Sequence, residues 1–376
     1  MRVPHLLHIF SNFVPTGPEL RTVGLIGAFG NDFRHSIVSM DGRTSAAERL
    51  PEGVEVRLLP NPPKAGSLPT ARRLFHLLRQ ERPDLVLTYN WGAFDMLLAA
   101  RGLGFRRVVH HEEGFNEDEA ESFKLRRVLA RRLVLPGAHR IVVPSRVLQS
   151  VATGLWKLPP EKVRLIPNGI HLQRFSPADG HPELRDRLGI PRDAVVVGAV
   201  GSFRAVKNYP RLLEACANIP GIPGVPDVHL LLVGDGEERP AVEARAAAPD
   251  LAGRVHFAGY QADPAPYYRA MDIFALSSDS EQMPVSLLEA MASSLPVAAT
   301  DVGDVRTVLP PDQSPLLAPP DAGGAAVLAQ AIAALARSPE TRARLGELNR
   351  RRVEISYTFE VMCASYREIY RCSLAA

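Results

Sequence analysis

Cysteine is scarce in this chain: Cys216, Cys363 and Cys372 are the three among 376 residues. Three is too few, and the wrong parity, for a disulfide framework, so a reducing compartment is expected. Long apolar runs are missing as well. No window offers the ~18 uncharged apolar residues that a membrane-spanning helix requires. The blandest stretch, residues 322–336, is mostly alanine and holds Gln330. Near the start, Pro4, His5 and His8 interrupt the apolar run that a signal peptide needs. Lysine supplies only five of the 44 basic residues. That bias spreads over the whole chain, together with abundant alanine and proline, and reads as genomic composition rather than function. No repeat of roughly 20–50 residues recurs, which excludes a solenoid. The expectation is a soluble, reduced, cytoplasmic protein, with room for contact with the inner face of a membrane.

What is present is enough apolar sequence for a real core: 46% hydrophobic residues against 23% charged. Disorder as the main state is thereby excluded, and ~150 residues per domain predicts two or three domains. The net charge of +3 hides an asymmetry. Residues 1–172 carry 24 Lys and Arg against 16 Asp and Glu, a balance of +8; residues 173–376 carry 20 against 25, a balance of −5. Opposite signs suggest two domains with different partners.

Short apolar runs at 5–10, 36–39, 54–58, 85–88, 108–111, 141–143 and 163–166 alternate with longer helical patterns such as 68–82. The alternation resumes at 195–200, 229–233, 255–258, 273–276, 297–299 and 315–317, with 208–218 among its helices. Buried strands alternating with helices predict a parallel sheet covered on both faces. Two such sets predict two doubly wound α/β domains, residues 1–172 and 173–356. Pro167-Asn168-Gly169 turns the chain between them, and Phe175-Ser176-Pro177 leaves that turn. Residues 357–376 carry helical spacing (Phe359, Met362, Cys363, Tyr366, Tyr370) and are expected to pack back on the first domain. Ligands of open parallel sheets bind beyond the strands' carboxyl ends. The expected site is therefore a cleft between two such ends.

Three segments just after strands carry the chemistry. The stretch from Ser277 to Met291 follows the run 273–276, with Pro284 suited to the first position of a helix. On that helix Leu287, Leu288, Met291 and Leu295 have core spacing, while Glu289 shares the other stripe with small residues. Glu281 precedes the helix, and free N–H groups near Met283, Val285 and Ser286 can receive an anion. Two carboxylates bracketing an anion site suit a phosphorylated, hydroxyl-rich ligand; the plain alternative is an exposed loop Glu and a solvated helix Glu. The second segment runs from Gly198 to Asn208. Its glycines, Gly201 included, allow close approach to backbone, and Arg204 and Lys207 can hold a diphosphate, or be ordinary solvated cations. In the third, Val108-Val109-His110-His111-Glu112-Glu113-Gly114, a histidine can bond a substrate hydroxyl or be structural. A metal is disfavoured, because adjacent strand residues face opposite ways and no HExxH spacing is present. Softer candidates are Thr16-Gly17, where a phosphate or sugar can approach backbone, and Tyr89-Asn90-Trp91, which can stack on an acceptor. Gly234-Asp235-Gly236 reads better as a tight turn.

Jointly, Lys207-Asn208, Glu281-x7-Glu289-Ala290, Ile166-Pro167-Asn168-Gly169, Leu232-Val233-Gly234-Asp235-Gly236 and residues 296–303 resemble glycosyltransferase family 4, in the family's order and over most of the chain. The resemblance implies a GT-B fold of two Rossmann-like domains, acceptor on the first and nucleotide-sugar on the second. It implies retaining hexosyl transfer without metal or other cofactor, from a nucleotide-diphosphate-sugar (UDP foremost, with GDP and ADP also used in the family) to a hydroxyl. The acceptor would be a glycan or lipid-linked, in cell-envelope glycoconjugate or polysaccharide synthesis; no nucleic acid is expected. It places Glu281 at the sugar, Glu289 on the ribose, and His110 beside the donor sugar with His111 as rival. Glu281, His110, Arg204 and Lys207 form the expected catalytic set. Gly17, Gly201, Tyr260, Met283, Val285, Ser286 and Glu289 join Arg204 and Lys207 on the donor, and Thr16, Tyr89, Asn90, Trp91, His111 and Glu112 line the acceptor. Three departures stand out: Ser202 where the family has Arg, Gln282 where it has Gly, and Gly17-Pro18 for a glycine pair. They keep two alternatives open, a GT-B epimerase or hydrolase, and a non-catalytic nucleotide-sugar-binding partner.

Finally, residues 123–135 read as a basic amphipathic helix. Lys124, Arg127 and Arg131 repeat at three and four residues, beside an apolar stripe of Leu125, Val128, Leu129 and Leu133. Such a helix can lie among anionic headgroups, and the expected acceptor is then a polyprenyl-diphosphate sugar, a glycolipid or a ceramide-like lipid. The opposing reading is an ordinary core-facing helix, neutralised by Glu117, Asp118, Glu119 and Glu121.

Overall fold

A computed structural model describes residues 2–61, 66–114, 124–177 and 181–376. The chain forms two compact units, Met1–Pro167 with Met362–Ala376, and Asn168–Val361.

In the first unit β1 (His5–Phe10), β2 (Arg34–Ser39), β3 (Val56–Leu59), β4 (Leu85–Tyr89), β5 (Val108–His111), β6 (Arg140–Val143) and β7 (Val163–Leu165) form a parallel sheet in the order 3-2-1-4-5-6-7. In the second, β8 (Val195–Val200), β9 (Val228–Val233), β10 (Val255–Gly259), β11 (Ile273–Leu276), β12 (Val297–Thr300) and β13 (Leu317–Ala318) follow the order 10-9-8-11-12-13. Both are doubly wound. The order reverses beside β1 and beside β8, the switch points where doubly wound sheets bind ligands at the carboxyl ends of their strands.

The aliphatic runs fit this arrangement because a strand covered by helices on both faces buries every side chain. All six residues of β9 are buried, and so are all six of β1. Alternate residues feed opposite faces: Val196, Leu231 and Phe274 pack in one cluster of the second unit, and Val197, Leu230 and Ile273 in the other. One expected strand is displaced. Residues Pro311–Leu316 wind into a 3-10 turn, and β13 is only Leu317–Ala318. Pro315 has no N–H to give a ladder, so pairing starts beyond it.

The division between units falls at Pro167 and Asn168, ahead of position 172. The last helix runs Phe359–Leu374, and from Met362 onward it belongs to the first unit. There Arg367 pairs with Asp32 and donates to the Ala28 carbonyl, and Tyr366 and Tyr370 are buried.

Beneath that helix lies a polar seam inside an apolar sheet. His5 Nε2 meets Ser36 Oγ at 2.8 Å, His8 Nε2 meets His35 Nδ1 at 3.0 Å, and His8 Nδ1 meets the Tyr89 hydroxyl at 3.1 Å. Burial holds the His8 ring well below the usual imidazole range, with His35 and His111 adding repulsion, and pushes His35 down to about 4. The seam is therefore neutral. As pH falls through ~6.5 the unfolded chain takes up protons that the folded chain refuses, so stability is full above that pH and drains below it. Each such group costs ~1.4 kcal/mol per pH unit until its folded pKa is reached. At pH 5.5 we expect unfolding of His35→Gln to take up about one proton fewer than unfolding of the wild type. Equal uptake by the two proteins in denaturant titrations would contradict this.

Candidate functional site

In the second unit the loops after β8 and β11 are sewn together. Ser277 Oγ donates to the Lys207 carbonyl at 2.9 Å, and Thr300 Oγ1 to the Ser278 carbonyl at 2.7 Å. The Asp279 amide donates to the Val206 carbonyl at 2.9 Å. Asn208, with φ of +44°, caps the helix Tyr209–Asn218 by accepting from the Arg211 amide, and its Nδ2 donates to Asp279 at 2.9 Å. In the Lys-Asn pair, Asn208 thus builds the turn and Lys207 carries the charge.

Lys207 Nζ lies 2.5 Å from Glu281 Oε1, and the Ser278 hydroxyl donates to the same oxygen at 2.8 Å. Both contacts fall on the same oxygen of Glu281. Ser278 was missed in the sequence, although it stands three residues before Glu281. Arg204 is exposed, its Nε donating to Ser202 Oγ at 3.0 Å. Arg204 precedes the 3-10 turn Ala205–Lys207 and Lys207 ends it, near Gly201, whose carbonyl accepts from the Tyr209 hydroxyl at 3.1 Å.

Three glycines make the close approaches. A side chain at Gly234 would meet the Gly201 carbonyl oxygen at 1.9 Å, and one at Gly236 the Phe203 carbonyl oxygen at 2.4 Å. The Gly-Asp-Gly turn therefore props up the loop after β8. Gly303, with φ of +53°, passes the Glu281 carbonyl so closely that a Cβ would sit 2.2 Å from it. Gly198 is different: Met271 fills the space beside it, so it serves core packing and leaves no room for a ligand.

The helix after Glu281 is Val285–Ala292. Pro284 is its cap rather than its first residue, because its ψ of 124° is extended. No side chain caps this end, and the first-turn amides of Val285 and Ser286 have no acceptor within the helix. Met283 is buried, accepting from the Asn168 amide at Sδ (3.2 Å) and from Asn168 Nδ2 at its carbonyl (3.0 Å). Asn168 of the Pro-Asn-Gly turn thereby fixes the approach to the helix. Glu289 lies one turn further on. Burial pushes its carboxyl up to about 7, against the Tyr268 hydroxyl, which donates to Oε2 at 2.7 Å, and the Arg174 charge. Tyr268 carries no sequence signal of its own. Tyr260 follows β10 with its ring exposed.

The first unit treats its candidates differently. Thr16 heads the helix Gly17–Phe29 without capping it; its hydroxyl bonds to Glu19, and space beside Gly17 is open. Tyr89, His110, His111 and Glu112 are all buried and satisfied within the unit. His110 Nδ1 meets Thr88 Oγ1 at 2.8 Å and Nε2 meets Glu112 at 3.2 Å. Glu112 also takes the Arg131 guanidinium at 3.1 Å, which stands over Trp156 and Trp91. Burial raises the Glu112 carboxyl, but the His110 hydrogen bond and the Arg131 charge outweigh it and hold it low. His111 Nδ1 meets the Thr88 carbonyl at 3.2 Å, and Nε2 meets the Tyr370 hydroxyl at 3.3 Å. The two histidines do take opposite sides of the strand. Neither has a ring nitrogen to spare: Thr88 and Glu112 engage His110, while the Thr88 carbonyl and Tyr370 of the helix Phe359–Leu374 engage His111. Asn90 (φ +55°) accepts from the Glu113 amide at 2.8 Å, and Trp91 stacks on Phe94 at 4.5 Å. Of the acceptor set, Thr16 is exposed, and Asn90 and Trp91 keep partial exposure. Missed entirely was Arg21, whose guanidinium donates to Glu113 at 2.7 Å under Tyr366.

The amphipathic stretch also turns out otherwise than expected. Within Leu125–Val134, Arg131 is buried with Glu112, Arg127 lies over Trp91 and Val128 joins the core. Two cations of the basic stripe, Arg127 and Arg131, thus turn toward the fold, where Trp91, Trp156 and Glu112 hold them. Leu125, Leu129 and Leu133 are 72%, 45% and 69% exposed. Phe123 and the acidic run at 117–121 lie outside the described residues.

Residues 17–174 match the family model described as Glycosyltransferase Family 4, and residues 194–338 the one described as Glycosyl transferases group 1. The chain is 31% identical over 214 residues to the lipopolysaccharide core biosynthesis glycosyltransferase LpsE of Rhizobium meliloti, covering 57% of this chain and 58% of that protein. It is 30% identical over 286 residues to a GDP-mannose-dependent alpha-mannosyltransferase of Mycobacterium tuberculosis, covering 73% and 71%. The chain thus spans a little over half the length of LpsE. HepE of Anabaena, solved in complex with UDP, superposes with a TM-score of 0.82 at 19% identity over 98% of this chain and all of its own. The two units therefore have the GT-B fold.

A methyl group at Gly303 tests the architecture around Glu281. Gly303→Ala is expected to cost about 2 kcal/mol or more, since both backbone strain and the Glu281 carbonyl oppose it. A denaturation midpoint equal to that of the wild type would contradict the close approach.

Proposed function

We propose a reaction from one premise: the chain belongs to glycosyltransferase family 4. The protein is a retaining, metal-independent transferase that takes a sugar from a nucleotide-diphosphate-sugar to an acceptor hydroxyl in glycoconjugate synthesis. The observation that carries this reading is the Lys207–Glu281 pair beside an uncapped helix N-terminus. One cation and several amides can hold a diphosphate there, while the second oxygen of Glu281 orients a sugar hydroxyl. Glu289 takes the ribose hydroxyls. As the glycosidic bond opens, negative charge grows on the diphosphate; Lys207, Arg204 and the first-turn amides stabilise it without reorganising. The leaving oxygen takes the acceptor's proton on the same face, so no protein nucleophile is needed. With its nitrogens engaged, His110 holds Glu112 and Arg131 in place rather than acting as a base.

Supporting a nucleotide-sugar donor, one relative is named for its dependence on GDP-mannose, and HepE, alike in fold, was solved with UDP. We favour UDP for this chain. The acceptor is a lipid-linked glycan met at the cytoplasmic membrane surface. Supporting this are the exposed leucines at positions 125, 129 and 133, one helical turn apart, with exposed Arg126 beside them and the balance of +8 in residues 1–172. Among the described residues no helix is long and apolar enough to cross a membrane, so contact would be peripheral.

Two experiments test these statements. Mass spectrometry of donor turnover with and without candidate acceptors should show transfer. In that assay Arg204→Ala lowers kcat by ~10²-fold, while Ser202→Ala, on an exposed loop, changes it little; the reverse ranking would displace the diphosphate from this loop. In flotation with anionic liposomes, Leu125→Ser, Leu129→Ser and Leu133→Ser together should abolish binding; a variant that still floats, or a wild type that never does, would defeat membrane contact.

A further inference from the structure

The second unit contains a buried hydroxyl aimed at Glu289 that the proposed reaction leaves without a role. Tyr268, on the helix Ala265–Arg269, is fully buried. Its ring is wedged between Phe175, edge-on at 5.7 Å, and Phe274 at 6.0 Å. Its hydroxyl donates to Glu289 Oε2 at 2.7 Å and lies 3.3 Å from the Ser286 carbonyl. With its ring buried between these neighbours, the hydroxyl holds Glu289 at Oε2.

We propose that Tyr268 is a positioning residue that claims one oxygen of Glu289, leaves the other to the ligand's vicinal hydroxyls, and makes donor binding release a proton. This rests on the reading of Glu289 as the ribose-binding carboxylate. A neutral carboxyl needs its own O–H placed and is a poor acceptor for two hydroxyls; the ionised form accepts both. Binding therefore selects the ionised form, and the proton goes to solvent.

The surroundings leave the balance between the two forms close. Burial favours the neutral carboxyl and raises it to about 7, Asp263 acting in the same direction, while the Tyr268 hydroxyl and the Arg174 charge favour ionisation. Arg174 is itself engaged with Asp263 at 3.0 Å and with the Ala262 carbonyl. Arg350, on the helix Pro339–Ser356, donates to the carbonyls of Phe175 and Ala292 and to Glu354. The hydroxyl of Tyr268 stays protonated, because burial and the neighbouring Glu289 raise its pKa far above the usual value.

The test measures affinity for UDP-glucose and GDP-mannose, whose diphosphates do not titrate in the range, from pH 5.5 to 8.5. Wild-type affinity should be flat above ~7.5 and fall up to tenfold per pH unit below ~7, as one proton competes. Glu289→Gln should bind weakly at every pH, without an inflection. Tyr268→Phe keeps the ring but removes the donor, so its inflection should move up by about one pH unit or more, with affinity at pH 8.5 within a few-fold of wild type. An inflection unmoved in Tyr268→Phe, or a pH-independent loss there, would overturn the positioning role while leaving the ribose reading intact through Glu289→Gln. If folded wild type binds neither of these nor ADP-glucose at any pH, both readings fall.

Discussion

The contact on which the candidate site depends is the pairing of Lys207 with Glu281 at 2.5 Å. It joins the ends of two adjacent parallel strands, β8 and β11, and it holds opposite charges where the crevice of a doubly wound sheet opens. Around it the chain places main chain against main chain. The turn at Gly234 and Gly236 leans on the loop after β8, and Gly303 leans on the Glu281 carbonyl. These approaches admit no side chain, so a handful of glycines and one capping asparagine position the charged pair. The carboxylate two turns along, Glu289, is then set by Tyr268 from below.

The first unit shows the opposite use of polar residues. Its histidines and carboxylates at the ends of β4 and β5 are consumed by the fold. Thr88, His110, Glu112 and Arg131 form a closed series, and Tyr89, His111 and Tyr370 another. Buried groups so thoroughly paired rigidify a sheet end, and they leave the leucines of Leu125–Val134, with Arg126, rather than Arg127 and Arg131 for whatever meets that surface.

How much of this was legible follows from how local each signal is. The strand runs show in the sequence because burial on both faces demands continuous aliphatic residues, and β8 and β11 fall at the residues their apolar runs span. The loops carrying Lys207 and Glu281 could be found because chemistry sits just past strands. His110 and the stripe of Lys124, Arg127 and Arg131 misled, since a polar residue at a strand end or on a helix looks the same whether a ligand or a distant residue satisfies it. The partner of His111 lies 259 positions away, at Tyr370. Tyr268 was invisible for the same reason: a tyrosine on a short helix declares nothing until the carboxylate it faces is known. Pro284 and Pro315 show the finer limit, where a proline marks an element's edge but not on which side of it the element begins.

The central claim is that the second unit binds a sugar nucleotide at the charged pair and the helix behind it. Hydrogen–deuterium exchange with saturating UDP-glucose, and separately GDP-mannose, tests it most directly. Amides at 201–208 and 281–289 should exchange more slowly with whichever donor binds. Unchanged exchange there, or protection confined to residues 85–112 of the first unit, would contradict the account.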